Sequence, residues 1–90
     1  MRIARRYLIR GRVQGVGFRY FTHAAAVREN VHGWVRNTPD GSVEVAAEGE
    51  ADAVERFERQ IRHGPAGSRV DQVAVAEAGE AGGHTAFTIR

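Results

Sequence analysis

Residues Gly11-Arg12-Val13-Gln14-Gly15-Val16-Gly17-Phe18-Arg19 hold the densest set of groups suited to chemistry in this chain. Gly15 and Gly17 stand two apart where an alternating segment gives way to a helical one. Glycine reaches positive φ without steric cost and lets a ligand approach the backbone. Successive amides in such a turn can converge on one point and form a concavity suited to an anion. The N-terminus of the following helix contributes unpaired N–H groups and the positive end of its dipole. Arg19 adds a planar fork of donors matched to two oxygens of a phosphoryl group. On spacing alone the loop is either an anion cradle or a plain structural turn. It is not a nucleotide-binding P-loop, because no Gly-Lys-Ser/Thr follows. It is not a dinucleotide fingerprint either, since 90 residues are too few for that fold.

Asn37 is the second candidate. Its amide both donates to and accepts from water but is no base near neutral pH. It stands just before Thr38-Pro39-Asp40-Gly41, so from the residues alone support of a turn is the more direct reading. The remaining polar residues offer less. His23, His32, His63 and His84 are scattered without metal-ligand spacing and are expected at the surface. Glu48 and Glu50 are expected to be solvated, and Tyr20, Phe21 and Trp34 to belong to the core.

The elements that must position these groups follow from periodicity. Tyr7, Ile9, Gly11 and Val13 alternate with Leu8, Arg10 and Arg12, the period of a strand. A helix is expected from about Tyr20 to Asn30, burying Phe21, Ala25 and Ala26, with Asn30 in the left-handed position that ends it. Trp34 to Asn37 reads as a second strand, and Asp40-Gly41 as a hairpin signal. Val43, Val45 and Ala47 mark the returning strand. Val54, Phe57 and Ile61 lie on one face of a helix from Ala51 to His63, stopped by Gly64-Pro65. Val70 to Glu77 and Ala86 to Arg90 complete the series. The order βαββαβ plus a short C-terminal strand predicts an α+β, ferredoxin-like two-layer sandwich, a mostly antiparallel sheet with two helices on one face.

Composition sets limits. Ninety residues make a single domain, 1–90, whose core is adequate but small. The absence of cysteine excludes disulfides and thiolate-held metals. Every one of the 13 basic residues is arginine, and six precede residue 20. That excess suits an anionic ligand, as does simple surface solvation. Arg2, Arg5 and Arg6 resemble the start of a secretory signal, but the apolar run Tyr7-Leu8-Ile9 is too short to continue it. A cytoplasmic protein with no membrane association is expected.

The motif Gly11 to Arg19 resembles the acylphosphatase signature Gly-x-Val-Gln-Gly-Val-x-Phe/Met-Arg without mismatch. Gly33-Trp34-Val35-Arg36-Asn37-Thr38-Pro39-Asp40-Gly41-Ser42-Val43, closed by Gly49, is similar to the family's second signature. Gly64-Pro65, Arg69-Val70 and Phe87-Thr88-Ile89-Arg90 also look like family positions, so the likeness spans the chain. Glu29 and Asn30 depart from it, standing where the family often has an apolar residue and glycine. The resemblance implies hydrolysis of the carboxyl–phosphate bond of acyl phosphates without metal or cofactor. It implies catalytic roles for Arg19 and Asn37, with Asn37 positioning the attacking water. It further implies phosphate binding by Gln14, Gly15, Val16, Gly17, Phe18 and Arg19, and a supporting role for Thr38. The implied partners are a small-molecule acyl phosphate and, in the same site, inorganic phosphate or sulfate. A monomer is expected, and no nucleic acid. Two alternatives share the layout: a nucleic-acid-binding module, echoed faintly by Gly17-Phe18-Arg19-Tyr20-Phe21, and an accessory domain in carbamoyl transfer.

Overall fold

The computed structural model describes residues 1–79 and 83–90. The elements run β1 (Arg2–Arg12), α1 (Phe18–Glu29), β2 (His32–Asn37), β3 (Val43–Glu50), α2 (Ala51–His63), β4 (Arg69–Glu77) and β5 (Phe87–Ile89). The strands form one sheet in the order β4-β1-β3-β2-β5, antiparallel except for the β2–β5 pair. Two helices cover one face, as the alternating pattern predicts.

Alternation along the strands sends one set of side chains toward the helices. Tyr7, Ile9, Val35, Val43, Val45, Ala47 and Phe87 meet Ala25, Ala26, Ala53, Val54, Phe57 and Ile61 in one buried cluster. Phe57 is its centre, with its ring 6.3 Å from Tyr7 and 5.9 Å from Phe87. These tilted aromatic contacts favour a fixed packing of α2 against the sheet.

Helix α1 begins two residues earlier than expected, at Phe18, and this shifts which side chains it buries. Phe18, Thr22, Ala25 and Ala26 face the core, an i, i+4, i+7, i+8 stripe. Phe21 is only half-buried, and Tyr20 is 70% exposed rather than part of the core. Asn30 takes φ 55°, and its N–H reaches the carbonyls of Ala26 and Val27, so asparagine ends the helix as glycine would. Glu29 is bound by Arg56 at 2.8 Å and Gln60 at 3.1 Å, which ties α1 to α2.

The face of the sheet away from the helices carries one correction. Glu48 is buried, not solvated: the 83–86 segment lies over β3, and the His84 N–H donates to its Oε1 at 2.9 Å. Glu50, by contrast, is exposed as expected. Trp34 is buried, as expected, and guanidinium groups cover its ring. Arg90, Arg6 and Arg36 sit 4.5, 5.0 and 6.0 Å from its ring centre. Cation–π attraction and the apolar stems of arginine together account for that cover. Strand β1 also starts earlier than expected, because Arg2 to Arg6 already pair with β3. Their guanidinium groups are held by acids: Arg5 by Glu58 and Glu77, and Arg6 by Glu44.

Glu58 joins α2 to β1. Its Oε1 accepts from the Tyr7 hydroxyl at 3.1 Å and from Arg5 at 3.2 Å, and its Oε2 accepts from Arg62 at 3.0 Å. Burial opposes its charge, but Arg62, Tyr7 and Arg5 outweigh that and hold the carboxyl below its usual range. Burial and the Glu58 charge push the Tyr7 hydroxyl up, so it remains a donor. A carboxyl whose pKa falls on folding stabilises the fold above its unfolded value, 4.5, and loses that contribution as pH drops through the folded value. We expect urea denaturation of the protein to show stability falling below about pH 4.5, and Glu58→Gln to flatten that slope while costing about 1–3 kcal/mol at neutral pH.

Candidate functional site

Strand direction brings the two candidate motifs together. β1 and β2 each run antiparallel to β3, so they run parallel to each other and end at the same edge of the sheet. Val43 on β3 lies between Ile9 of β1 and Asn37 of β2. The loop that follows β1 therefore emerges beside the last residue of β2.

The loop is anchored from both ends and fixed in its middle. Val13 and Phe18 are buried in the core, and Val16 packs partly against it. Between them Gly15 takes φ 76° and Gly17 φ 77°. A Cβ at either glycine would meet nothing, so the backbone angle and not crowding is what demands glycine there. Gly17 is the N-cap of α1, and no side chain caps the helix. No acidic residue lies in the first turn. The first N–H groups of α1 thus face outward with the positive helix end unneutralised, as an anion site requires.

A small cleft of about 120 Å³ opens here, lined by Val13, Gly15, Gly17, Phe18, Arg19, Tyr20 and Asn37. Arg19, expected to grip oxygen atoms, donates one guanidinium N–H to the main-chain carbonyl of Arg90 at 3.1 Å. Arg90 is itself held by donating its N–H to Val35 at 2.8 Å. The Arg19 head is thereby oriented, and among the described residues its other donors engage no further partner. Among the described residues no side-chain hydrogen bond engages the amide of Asn37. Its side chain is half-exposed at the cleft wall.

Other expected site residues have different surroundings. The Gln14 side-chain nitrogen donates to the carbonyls of Thr38 at 2.8 Å and Ser42 at 2.9 Å. Its amide welds the loop to the β2–β3 turn and has no donor left for a ligand. Phe18 lines the cleft with its side chain buried in the core, whereas Val16 packs partly against the core and is not among the residues lining the cleft. The Thr38 hydroxyl lies against the Asp40 carboxylate and 3.1 Å from the Ser42 carbonyl. It shapes the turn from within. Thr38 and the Ser42 N–H together hold the exposed Asp40 carboxyl below its usual range. Sequence reasoning missed Ser42, Arg90 and Tyr20. Ser42 and Arg90 act through main-chain carbonyls, which no residue type signals, and Tyr20 was assigned to the core. Among the described residues, no group of three His, Asp or Glu is arranged to hold a metal ion, and no helix is long and apolar enough to cross a membrane.

Known proteins resemble this chain over nearly its whole length. The family model for acylphosphatase matches residues 5–89. An acylphosphatase of Nitrobacter hamburgensis is 55% identical over 71 residues, which are 79% of this chain and 72% of that protein. One from Bacillus subtilis is 42% identical over 84 residues, 93% and 92% of the two chains. The crystal structure of acylphosphatase from Bacillus subtilis superposes with a TM-score of 0.94 at 40% identity, over 100% of this chain and 99% of that one. Full-length HypF in its phosphate- and nucleotide-bound form also matches, with a TM-score of 0.92 and 35% identity, but this chain covers only 12% of it. These matches do not favour the nucleic-acid-binding or carbamoyl-transfer alternatives.

The Gln14 contacts give a direct test. We expect Gln14→Ala to cost about 1–3 kcal/mol in urea denaturation, because two carbonyls lose their donor. Gln14→Glu should cost more, since it turns a carboxylate toward the same two carbonyls. Unchanged stability in both variants would remove the structural role assigned to this side chain.

Proposed function

Since the chain belongs to the acylphosphatase family and hydrolyses the carboxyl–phosphate bond of acyl phosphates, we propose that the cleft between the 14–19 loop and Asn37 is where this reaction occurs. The observation that carries the reading is that Arg19 and Asn37 line the same cleft as Gly15 and Gly17. The main-chain amides of the loop and of the first turn of α1 hold the phosphoryl oxygens. Arg19 spans two of them with its fork of donors. Inorganic phosphate or sulfate fits the same cradle.

Asn37 accepts a hydrogen bond from the attacking water and keeps a lone pair aimed at phosphorus. The water oxygen forms the new bond to phosphorus as the bond to the carboxyl oxygen breaks, the electron pair leaves on the carboxylate, and the proton that the water sheds passes to a phosphoryl oxygen, so that the product is dihydrogen phosphate. A carboxylate is a weak base, so no general acid is needed beside it. The transition state of phosphoryl transfer is loose, with charge spread over the three equatorial oxygens. The water becomes acidic only late, so an amide is sufficient to place it. Catalysis then rests on fixed donors and alignment, both of which this cleft supplies. Gln14 and Thr38 act through the loop and turn that carry these groups. The reading includes a monomer acting in the cytoplasm on a small-molecule acyl phosphate, without metal or cofactor.

The test is hydrolysis of benzoyl phosphate in the presence of a chelator, with inorganic phosphate as competitive inhibitor. The protein should turn over under these conditions. Arg19→Ala should lose about 10²–10³ in kcat, the cost of one preorganised donor, and should also weaken phosphate inhibition. Asn37→Ala should lose turnover to a similar degree while phosphate still inhibits. If phosphate inhibition by Asn37→Ala weakened as far as its turnover, the water-positioning role would be wrong.

A further inference from the structure

The cleft lining leaves one side chain without a task. Gly15 and Gly17 present only backbone. Val13 and Phe18 are 1% and 2% exposed, so their side chains offer almost no surface to a ligand. Arg19 and Asn37 are committed to phosphoryl oxygens and water in the reading above, on which this inference rests. Tyr20 remains. It is 70% exposed, and among the described residues its hydroxyl enters no hydrogen bond. Burial in the core does not explain it: the buried stripe of α1 runs through Phe18, Thr22, Ala25 and Ala26.

In-line displacement places the leaving group opposite the entering water. With water held at Asn37 on β2, the acyl tail must leave the cleft on the side away from that strand. Of the lining residues Phe18, Arg19 and Tyr20 belong to α1, and Tyr20 in its first turn supplies the exposed apolar area. We propose that Tyr20 is a specificity-determining residue of this enzyme, an aromatic surface at the cleft mouth that favours acyl phosphates with a planar aryl tail over those with a short alkyl tail. A phenol ring in water stacks on another ring through area burial and offset quadrupoles. A methyl tail covers too little of the ring to gain comparably. Discrimination enters through the tail alone, since the cradle reads only the phosphoryl end.

The experiment compares benzoyl phosphate with acetyl phosphate for the wild type, Tyr20→Phe and Tyr20→Ala. Inorganic phosphate inhibition is measured for each. The ratio of kcat/KM for benzoyl over acetyl phosphate should fall by about 2- to 12-fold in Tyr20→Ala, the size of one aromatic contact, chiefly through a raised KM for benzoyl phosphate. Tyr20→Phe should keep the wild-type ratio, since the face of the ring and not its hydroxyl is used. The inhibition constant for phosphate should move by less than about 2-fold in either variant. A ratio unchanged in Tyr20→Ala overturns the proposal. So does a parallel loss for both substrates with weakened phosphate inhibition, which would make Tyr20 a support for the loop. Failure of the cradle itself is read separately, as phosphate inhibition that survives Arg19→Ala intact.

Discussion

Everything at this site depends on β3 pairing antiparallel with β1 on one side and β2 on the other. That arrangement makes the two outer strands parallel and brings their C-terminal ends to one edge. A one-residue slip of β2 would turn Asn37 to the opposite face of the sheet, because side chains alternate along a strand. If Asn37 acts as proposed, the register is therefore a functional constraint as well as a packing one. Burial enforces it: Val35 of β2 is fully enclosed, and a slip would turn it out of the core and bring Arg36 into its place.

Onto that frame the chain adds a second restraint. The Gln14 amide reaches from the loop after β1 to two carbonyls of the β2–β3 turn. Loop and strand end thus move as one body. Core anchors at Val13 and Phe18 hold the loop ends while the glycines turn its backbone outward. The result is a set of donors fixed before any ligand arrives, the condition under which electrostatic stabilisation costs no reorganisation. The positive potential needs no cluster of cations, since one guanidinium and the open end of α1 provide it. Most other arginines are spent elsewhere. Arg5, Arg6, Arg36, Arg56, Arg62 and Arg69 pair with acids, and Arg90 stacks on Trp34.

Much of this was legible in the sequence because the relevant signals are local. Alternation at Tyr7 to Val13, the stripe Val54-Phe57-Ile61 and the Asp40-Gly41 turn each specify their own element. Arg19 and Asn37 were legible through motifs, and the strand order then explains why segments so far apart meet. Glu48 was misjudged because its cover comes from the 83–86 segment, far along the chain, and period two does not say whether the second face of a strand is wet. Tyr20 was misjudged because two aromatics in succession, Tyr20 and Phe21, look like core. Only the phase of α1, set by its start at Phe18, decides which of them points out. Gln14 belongs to the motif, yet its work is done on main-chain carbonyls, which carry no residue-specific signature.

The central claim is that main-chain amides of one loop, with Arg19, form the anion cradle. Titrating inorganic phosphate into isotope-labelled protein and following the backbone and arginine N–H resonances tests it most directly. The account predicts saturable shifts concentrated on the amides of Gly15 to Arg19 and on the Arg19 guanidinium, with no shift in the separate groove between α1 and α2 that Arg28, Arg56 and Arg59 line. Shifts centred on Arg28, Arg56 and Arg59 in that groove, with the 15–19 amides unchanged, would contradict it.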